Sequence, residues 1–401
     1  MTKKIKLPNI DNESPIRINI WGDLVQTNDN KDLFEDGDIS NLLGDGIINE
    51  VSKSDVVIFN LEAPLTSRNT PPLYKPEAPC IASSPKCINT FNALKKLGVQ
   101  LIASCANNHI KDFGIDGIRD TINLLSNNGI EYIGVSDQNL SIAKIPIIIE
   151  KGECRAGIYS CAENEFSIAD DKVGGANGYD PLTTFDDIAR LKTQCDKVII
   201  LFHAGRENYQ YPSPLLQRVC RKMVDSGADV IICQHSHCIG CEEVYKSGRI
   251  IYGQGNFIFH RTKISNWYTG LMISVDITKA PNVAVDYKVV QNSIPHVRLG
   301  DAIHSQEIIS QFNERSKDIQ SKEFIEKKWH DWVFENIDTY CMHGIAGCQN
   351  RYILAIDRRL NFFLSRFILR DKHRRKLLLN YIRCESIREA MITLLNSNKT
   401  K

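Results

Sequence analysis

Five short stretches place metal-ligating side chains directly after apolar or β-branched runs. They are Gly22-Asp23, Asn60-Leu61-Glu62, Asn107-Asn108-His109, His203-Ala204-Gly205-Arg206-Glu207 and Gln234-His235-Ser236-His237. Carboxylate, amide oxygen and imidazole together are the donor set of a dinuclear divalent-metal site. Two such ions can hold a phosphate-type ester and activate water against it. A lone H-x-H is more often a pair of surface histidines; the four companion motifs make metal binding the better reading.

The individual residues suggest roles. His235 and His237 are two apart, and on an extended chain such residues face the same side. Both imidazoles are therefore expected at one metal cluster. An amide oxygen from Asn108 can ligate an ion and leave the adjacent His109 facing substrate. There it would protonate a leaving oxygen or stabilise developing charge. Asp112 is placed to orient His109. Asp112-Phe113-Gly114 matches a kinase triplet, but no glycine-rich loop or H-R-D segment accompanies it. Asp23, Glu62 and His203 read as further ligands. Asn107, Glu207 and Asn256, like Asp112, are expected to bind substrate or brace the ligands.

These residues need strands to position them. From Ile16 to about Ile294, short β-branched runs alternate with helical stretches. Strand–loop–helix–strand order predicts an α/β domain with a largely parallel core. Polar turns such as Lys246-Ser247-Gly248 predict hairpins and a second, mixed sheet. Ligands in such folds gather at the carboxyl ends of strands, where all five motifs fall.

At 401 residues the chain can bury one large core or two domains. A net charge of +1 gives no general pull toward nucleic acid, and no nucleic-acid partner is expected. The thirteen cysteines show no disulfide-framework spacing; several sit inside apolar runs (Cys105, Cys161, Cys233) and read as small, reduced core residues. Cys238-Ile239-Gly240-Cys241 lacks the second pair that a tetrahedral zinc site needs. Met1 to Ser14 has no apolar h-region, and no window reaches ~18 uninterrupted apolar residues. The expected location is cytoplasmic, with peripheral contact at the inner membrane surface as an extension of it.

After about Arg298 the sequence turns helical and charged. Two units are expected, 16–295 and 300–401. Residues 351–401 carry thirteen Lys/Arg against four Asp/Glu, with apolar residues at helical spacing. A basic amphipathic helix can contact an anionic membrane or an assembly complex. The apolar side chains of Ile353, Leu354, Phe362, Phe363, Phe367 and Ile368 favour instead a cap packed on the domain.

Taken in order, Gly22-Asp23, Asn60-Leu61-Glu62-Ala63-Pro64-Leu65-Thr66, Ala106-Asn107-Asn108-His109 with Asp112 and Gly114, His203-x-Gly205-x-Glu207, Gly227-Ala228-Asp229 leading to His235-Ser236-His237, and Gly255-Asn256-Phe257 resemble the CapA-type capsule-synthesis family. That family, also called the poly-gamma-glutamate biosynthesis family, belongs to the calcineurin-like metallophosphoesterase superfamily. The resemblance covers about residues 16 to 260. It implies a four-layer αββα sandwich with two metals at one edge. By position, Asp23 and His237 would hold one metal, Asn108, His203 and His235 the second, and Glu62 would stand at the bridging position. His109 would protonate the leaving group. The superfamily's Asp-x-His motif is Asp23-Leu24-Val25 here, and the Gly before its first metal-site histidine is Gln234. The resemblance implies one or two divalent ions (Mn, Mg, Fe or Zn) and a small-molecule or polymer substrate. The expected activity is metal-dependent hydrolysis of a phosphoester or related bond in cell-envelope polymer metabolism. The alternative is a non-catalytic accessory module of a capsule or exopolysaccharide assembly complex.

Overall fold

The alternating strand residues sort into two sets, and that sorting builds the fold. A computed structural model of the chain describes residues 2–8, 14–67, 69–73, 75, 78–260, 264–336, 359 and 372–396. One sheet has seven strands in the order β1 (Lys3–Lys6), β7 (Ile147–Lys151), β8 (Cys154–Ala162), β10 (Lys197–His203), β11 (Val230–Gln234), β13 (Gly248–Ile251) and β12 (Glu242–Tyr245). The other has eight: β17 (His296–Leu299), β16 (Ala284–Ser293), β15 (Thr269–Ile277), β2 (Ile16–Leu24), β3 (Val56–Leu61), β4 (Gln100–Ser104) and β5 (Glu131–Ile133), with β14 (Asn256–Ile258) joined to β2. A two-stranded ribbon pairs β6 (Val135–Ser136) with β9 (Gly175–Ala176).

Both large sheets are mixed. β8, β10, β11 and β13 run parallel, as do β2, β3, β4 and β5. Antiparallel strands flank them, including the hairpin β12–β13 around Lys246-Ser247. The paired strand Lys3–Lys6 lies upstream of residue 16.

Period-two alternation sends Ile16, Ile18, Ile20, Val56 and Ile58 of one sheet against Ile147, Ile158, Ile199, Leu201 and Ile232 of the other. Each buried isoleucine contributes roughly 1.5–3 kcal/mol relative to exposure. The alternate residues Val57, Phe59 and Leu101 meet the helices Ile39–Ser52, Ile88–Lys95 and Gly114–Asn127. On the other sheet Val198, Ile200 and Ile231 meet Thr184–Lys192 and Pro214–Asp225. The latter helix starts where its sequence requires: Pro214 occupies the first turn and Ser213 Oγ accepts from Leu216 N at 3.1 Å.

Beyond residue 300, Ala302–Asp318 and Lys322–Glu335 are helical, as are Lys372–Arg383 and Glu385–Asn396. Trp329, Val333, Leu377, Tyr381, Ile387 and Ala390 close a separate apolar cluster. Trp329 Nε1 donates to Thr393 Oγ1 at 3.0 Å, fastening the last helix to Lys322–Glu335. The apolar tail residues Ile353, Leu354, Phe362, Phe363, Phe367 and Ile368 lie outside the described residues. Among the described residues no helix is long and apolar enough to cross a membrane.

Candidate metal centre

The parallel strands of both sheets end at the same edge, and their last residues meet there. β2 delivers Asp23. A register shift against β3 between Trp21 and Asp23 marks a bulge at Gly22. A Cβ on Gly22 would lie 2.0 Å from the Gly255 carbonyl oxygen, so only glycine allows β14 to approach this closely. β3 delivers Asn60 and, two residues on, Glu62. The loop after β4 carries Asn107 to Asp112. From the other sheet come His203, at the end of β10, and His235 and His237, just past β11.

The two histidines after β11 do not sit on an extended chain. His235 has φ 92° and His237 φ 54°, both left-handed. The shared-face argument for them therefore fails locally; a strained turn aims the rings instead. Their ring centroids are 6.2 Å apart, and each joins a different group of donors.

One donor atom each from Glu62, His203 and His235 lie within 4.8 Å of one another, and so do those of Asp23, Glu62 and His237. Glu62 belongs to both triplets. Its Oε1 lies 3.9 Å from His203 Nε2 and 3.9 Å from His237 Nε2. That oxygen is buried, and no hydrogen-bond donor among the described residues reaches it. Asn108 Oδ1 lies 3.1 Å from His203 Nε2, which is itself 3.1 Å from His235 Nδ1. On the other side, His237 Nδ1 is 3.0 Å from Asp23 Oδ2 and 2.9 Å from Asn256 Oδ1.

Burial pushes the Glu62 carboxyl well above its ordinary range, and the Asp23 charge adds to this. Burial also acts upward on Asp23, but the hydrogen bond and charge of His237 outweigh it and hold Asp23 low. His203 falls well below the usual imidazole value through burial and then through His235. Buried carboxylates and imidazoles packed together are the donor chemistry of a cation site. An acceptor without a donor, shared by two oxygen–nitrogen triplets, fits a pair of divalent ions. Val25, two residues past Asp23, packs with Ala63, Phe259 and Trp267. The Trp267 ring lies over His237 at 4.0 Å.

His109 is in neither triplet. Its Nδ1 is 2.8 Å from Asp112 Oδ2. Burial and then the Lys75 charge lower its pKa, against the pull of Asp112. Asn107 is a brace: its amide donates to Asn60 Oδ1 and Leu61 O, and its oxygen accepts from His109 N and Ile110 N. Glu207 sits exposed at the rim.

Several participants carried no role in the sequence reading. Asn60 Nδ2 lies 2.7 Å from Asp23 Oδ1 and 3.3 Å from Glu62 Oε2, donating to both acids. The signal was present, since Asn60 and Glu62 are two apart at a strand end. Lys75 is fully buried, ion-paired with Asp112, and donates to the Asn108 carbonyl. Its polar, proline-rich loop gave no signal. Glu163 and Glu165, directly after β8, lie 3.9 and 4.0 Å from His235 Nε2. Their position after a strand run matched that of the five motifs.

Gln234 bridges the sheets, its amide donating to Trp21 O at 3.2 Å and to Gln254 Oε1 at 3.0 Å.

Comparison with known proteins places this edge in a family. The chain is 28% identical to the capsule biosynthesis protein CapA of Bacillus anthracis over 214 residues, 52% of this chain and 51% of that protein. It is 29% identical to the PGA biosynthesis protein CapA of Bacillus subtilis over 210 residues, 51% and 53% of the two. It thus spans about half the length of these relatives. A 5'-nucleotidase structure from Candida albicans aligns at 12% identity and TM-score 0.39, covering 81% of this chain and 60% of that one. The model of the bacterial capsule synthesis protein PGA_cap matches residues 17–261, which hold every donor in both triplets. On that match, the chain belongs to the bacterial capsule synthesis protein family.

Proposed function

We propose that the protein is a metal-dependent hydrolase acting on a phosphoester or related bond in capsule, poly-gamma-glutamate or other cell-envelope polymer metabolism. The polymer context rests on family membership. The chemistry rests on one observation: the orphan oxygen Glu62 Oε1, equidistant from His203 Nε2 and His237 Nε2. In this reading the facing sheets and their outer helices are the four-layer αββα sandwich of the metallophosphoesterases.

Asp23, Glu62 and His237 would hold one ion, and Glu62, Asn108, His203 and His235 the other. Two such ions supply Lewis-acid charge to the scissile group and make water nucleophilic near neutral pH. The remaining work falls to the chain. Asp112 holds the His109 ring by Nδ1, and Lys75 pairs with Asp112 from the other side. An anionic substrate beside His109 adds the negative charge that lets the imidazole take up a proton, which it hands to the leaving oxygen. Asn107 holds the loop on which His109 rides.

The test is metal content and turnover together. Full-length protein loaded with Mn²⁺ is assayed on a panel of phosphoesters and gamma-glutamyl peptides. His109→Ala should retain its metal and lose roughly 10²–10⁴-fold in rate. Metal loss in that variant would reassign His109 as a ligand. Bound metal without turnover would favour an accessory role.

A further inference from the structure

The last helix of the chain reaches the metal centre. Glu385–Asn396 lies outside the family match, yet its first residues contact the loop after β8. Ser386 N donates to Glu163 Oε2 at 3.2 Å, and Ser386 Oγ donates to Glu163 Oε1 at 3.2 Å. The contact is reciprocal: Glu385 accepts from Asn164 N and from Asn164 Nδ2, both at 2.8 Å. Gly205 N, two residues past His203, also donates to Glu163 Oε1, at 3.3 Å.

Glu163 is buried, and Oε1 lies 3.9 Å from His235 Nε2. Glu165 Oε2 lies 4.0 Å from the same nitrogen. The opposite ring nitrogen, Nδ1, faces His203 Nε2 at 3.1 Å, on the side of the donor triplet. Two carboxyl groups beside Nε2 favour a ring proton on that side, which leaves the Nδ1 lone pair for a cation.

We propose that the C-terminal helix is a working part of the metal centre: Ser386 fixes Glu163, and Glu163 fixes the tautomer in which His235 offers Nδ1 to a divalent ion. This rests on the metal reading above. Glu163 and Ser386 are then positioning residues, the second supplied by a segment that the family match does not include. The helix links the state of the C-terminal extension to cation affinity.

The experiment is Mn²⁺ titration of metal-stripped, full-length protein, with free Mn²⁺ followed by its electron paramagnetic resonance signal. The relevant binding step is the one that His235→Ala abolishes. Glu163→Gln should weaken that step ~10–100-fold. Ser386→Ala should weaken it in the same direction, and Ser386→Thr, which keeps the hydroxyl, should restore it. Ser213→Ala serves as the control. It removes a hydroxyl bonded to Glu389, about one turn along the same helix from Ser386, and should leave the step unchanged. If Glu163→Gln fails to fold, the Ser386 pair decides. Wild-type affinity in both Glu163→Gln and Ser386→Ala overturns the proposal, as does an equal loss in Ser213→Ala. A wild-type protein that binds no Mn²⁺ removes the metal reading itself, and this inference with it.

Discussion

A buried amide bridges two acids at the shared edge of the sheets. Asn60 Nδ2 is the donor shared by Asp23 and Glu62, so its loss strands two buried acceptors. Asn60→Leu should cost about 2–6 kcal/mol, taking ~1–3 kcal/mol per unsatisfied group. Urea denaturation in chelator measures it. Because a cation can take over the role of the amide between the acids, the loss should shrink when Mn²⁺ is added. A loss indifferent to Mn²⁺ would show that Asn60 braces the strands and not the charges. At this scale the sequence was informative about which side chains gather at the sheet edge. Asp23, Glu62, Asn108, His203, His235 and His237 all follow strand runs, and strand ends of parallel sheets converge. It was silent on Lys75, which reaches Asn108 from 33 residues away through a loop without periodicity. It also misjudged how His235 and His237 are aimed, because left-handed backbone leaves no mark in a histidine's own identity.

At the level of elements, the parallel strands and the helices between them were readable from β-branched runs and amphipathic spacing. The strand Lys3–Lys6 was not, since three lysines around a single isoleucine read as a polar tail until β7 pairs with it. The final helix adds a pH dependence of its own. Burial raises the Glu389 carboxyl to about 6, against the opposing hydrogen bonds from Ser213 and Leu215 N. In the unfolded chain the same group titrates near 4.3. The folded state therefore binds this proton more tightly. Its contribution is fully present below about pH 4.3 and is lost as pH rises through about 6. It amounts to about 2 kcal/mol, each tenfold gain in proton affinity being worth about 1.4 kcal/mol. Glu389→Gln stays neutral, so its stability relative to wild type should climb by that amount between pH 4 and ~7. Parallel urea titrations across this range check it; a flat difference would show that Glu389 ionises freely in the folded protein.

For the whole molecule, the change in character near residue 300 was visible where β-branched runs give way to charged helix. That the extension returns to the candidate metal site was not: Ser386 and Glu163 are 223 residues apart, and no local pattern encodes so distant a contact. The two donor triplets carry a further consequence, because each draws on both sheets. Asp23 and Glu62 hang from one, and His203, His235 and His237 from the other. A bound ion therefore rivets the sheets at their carboxyl edge alone, while the opposite edge is held by side-chain packing. Amide hydrogen exchange should register the asymmetry. Mn²⁺ should slow exchange around residues 20–24, 60–62 and 234–238 beyond its general stabilising effect, and do less for Ile16, Val56 and Lys197 at the far ends of the same strands. Slowing of equal size at both ends would mean that the ions stabilise the fold without riveting it.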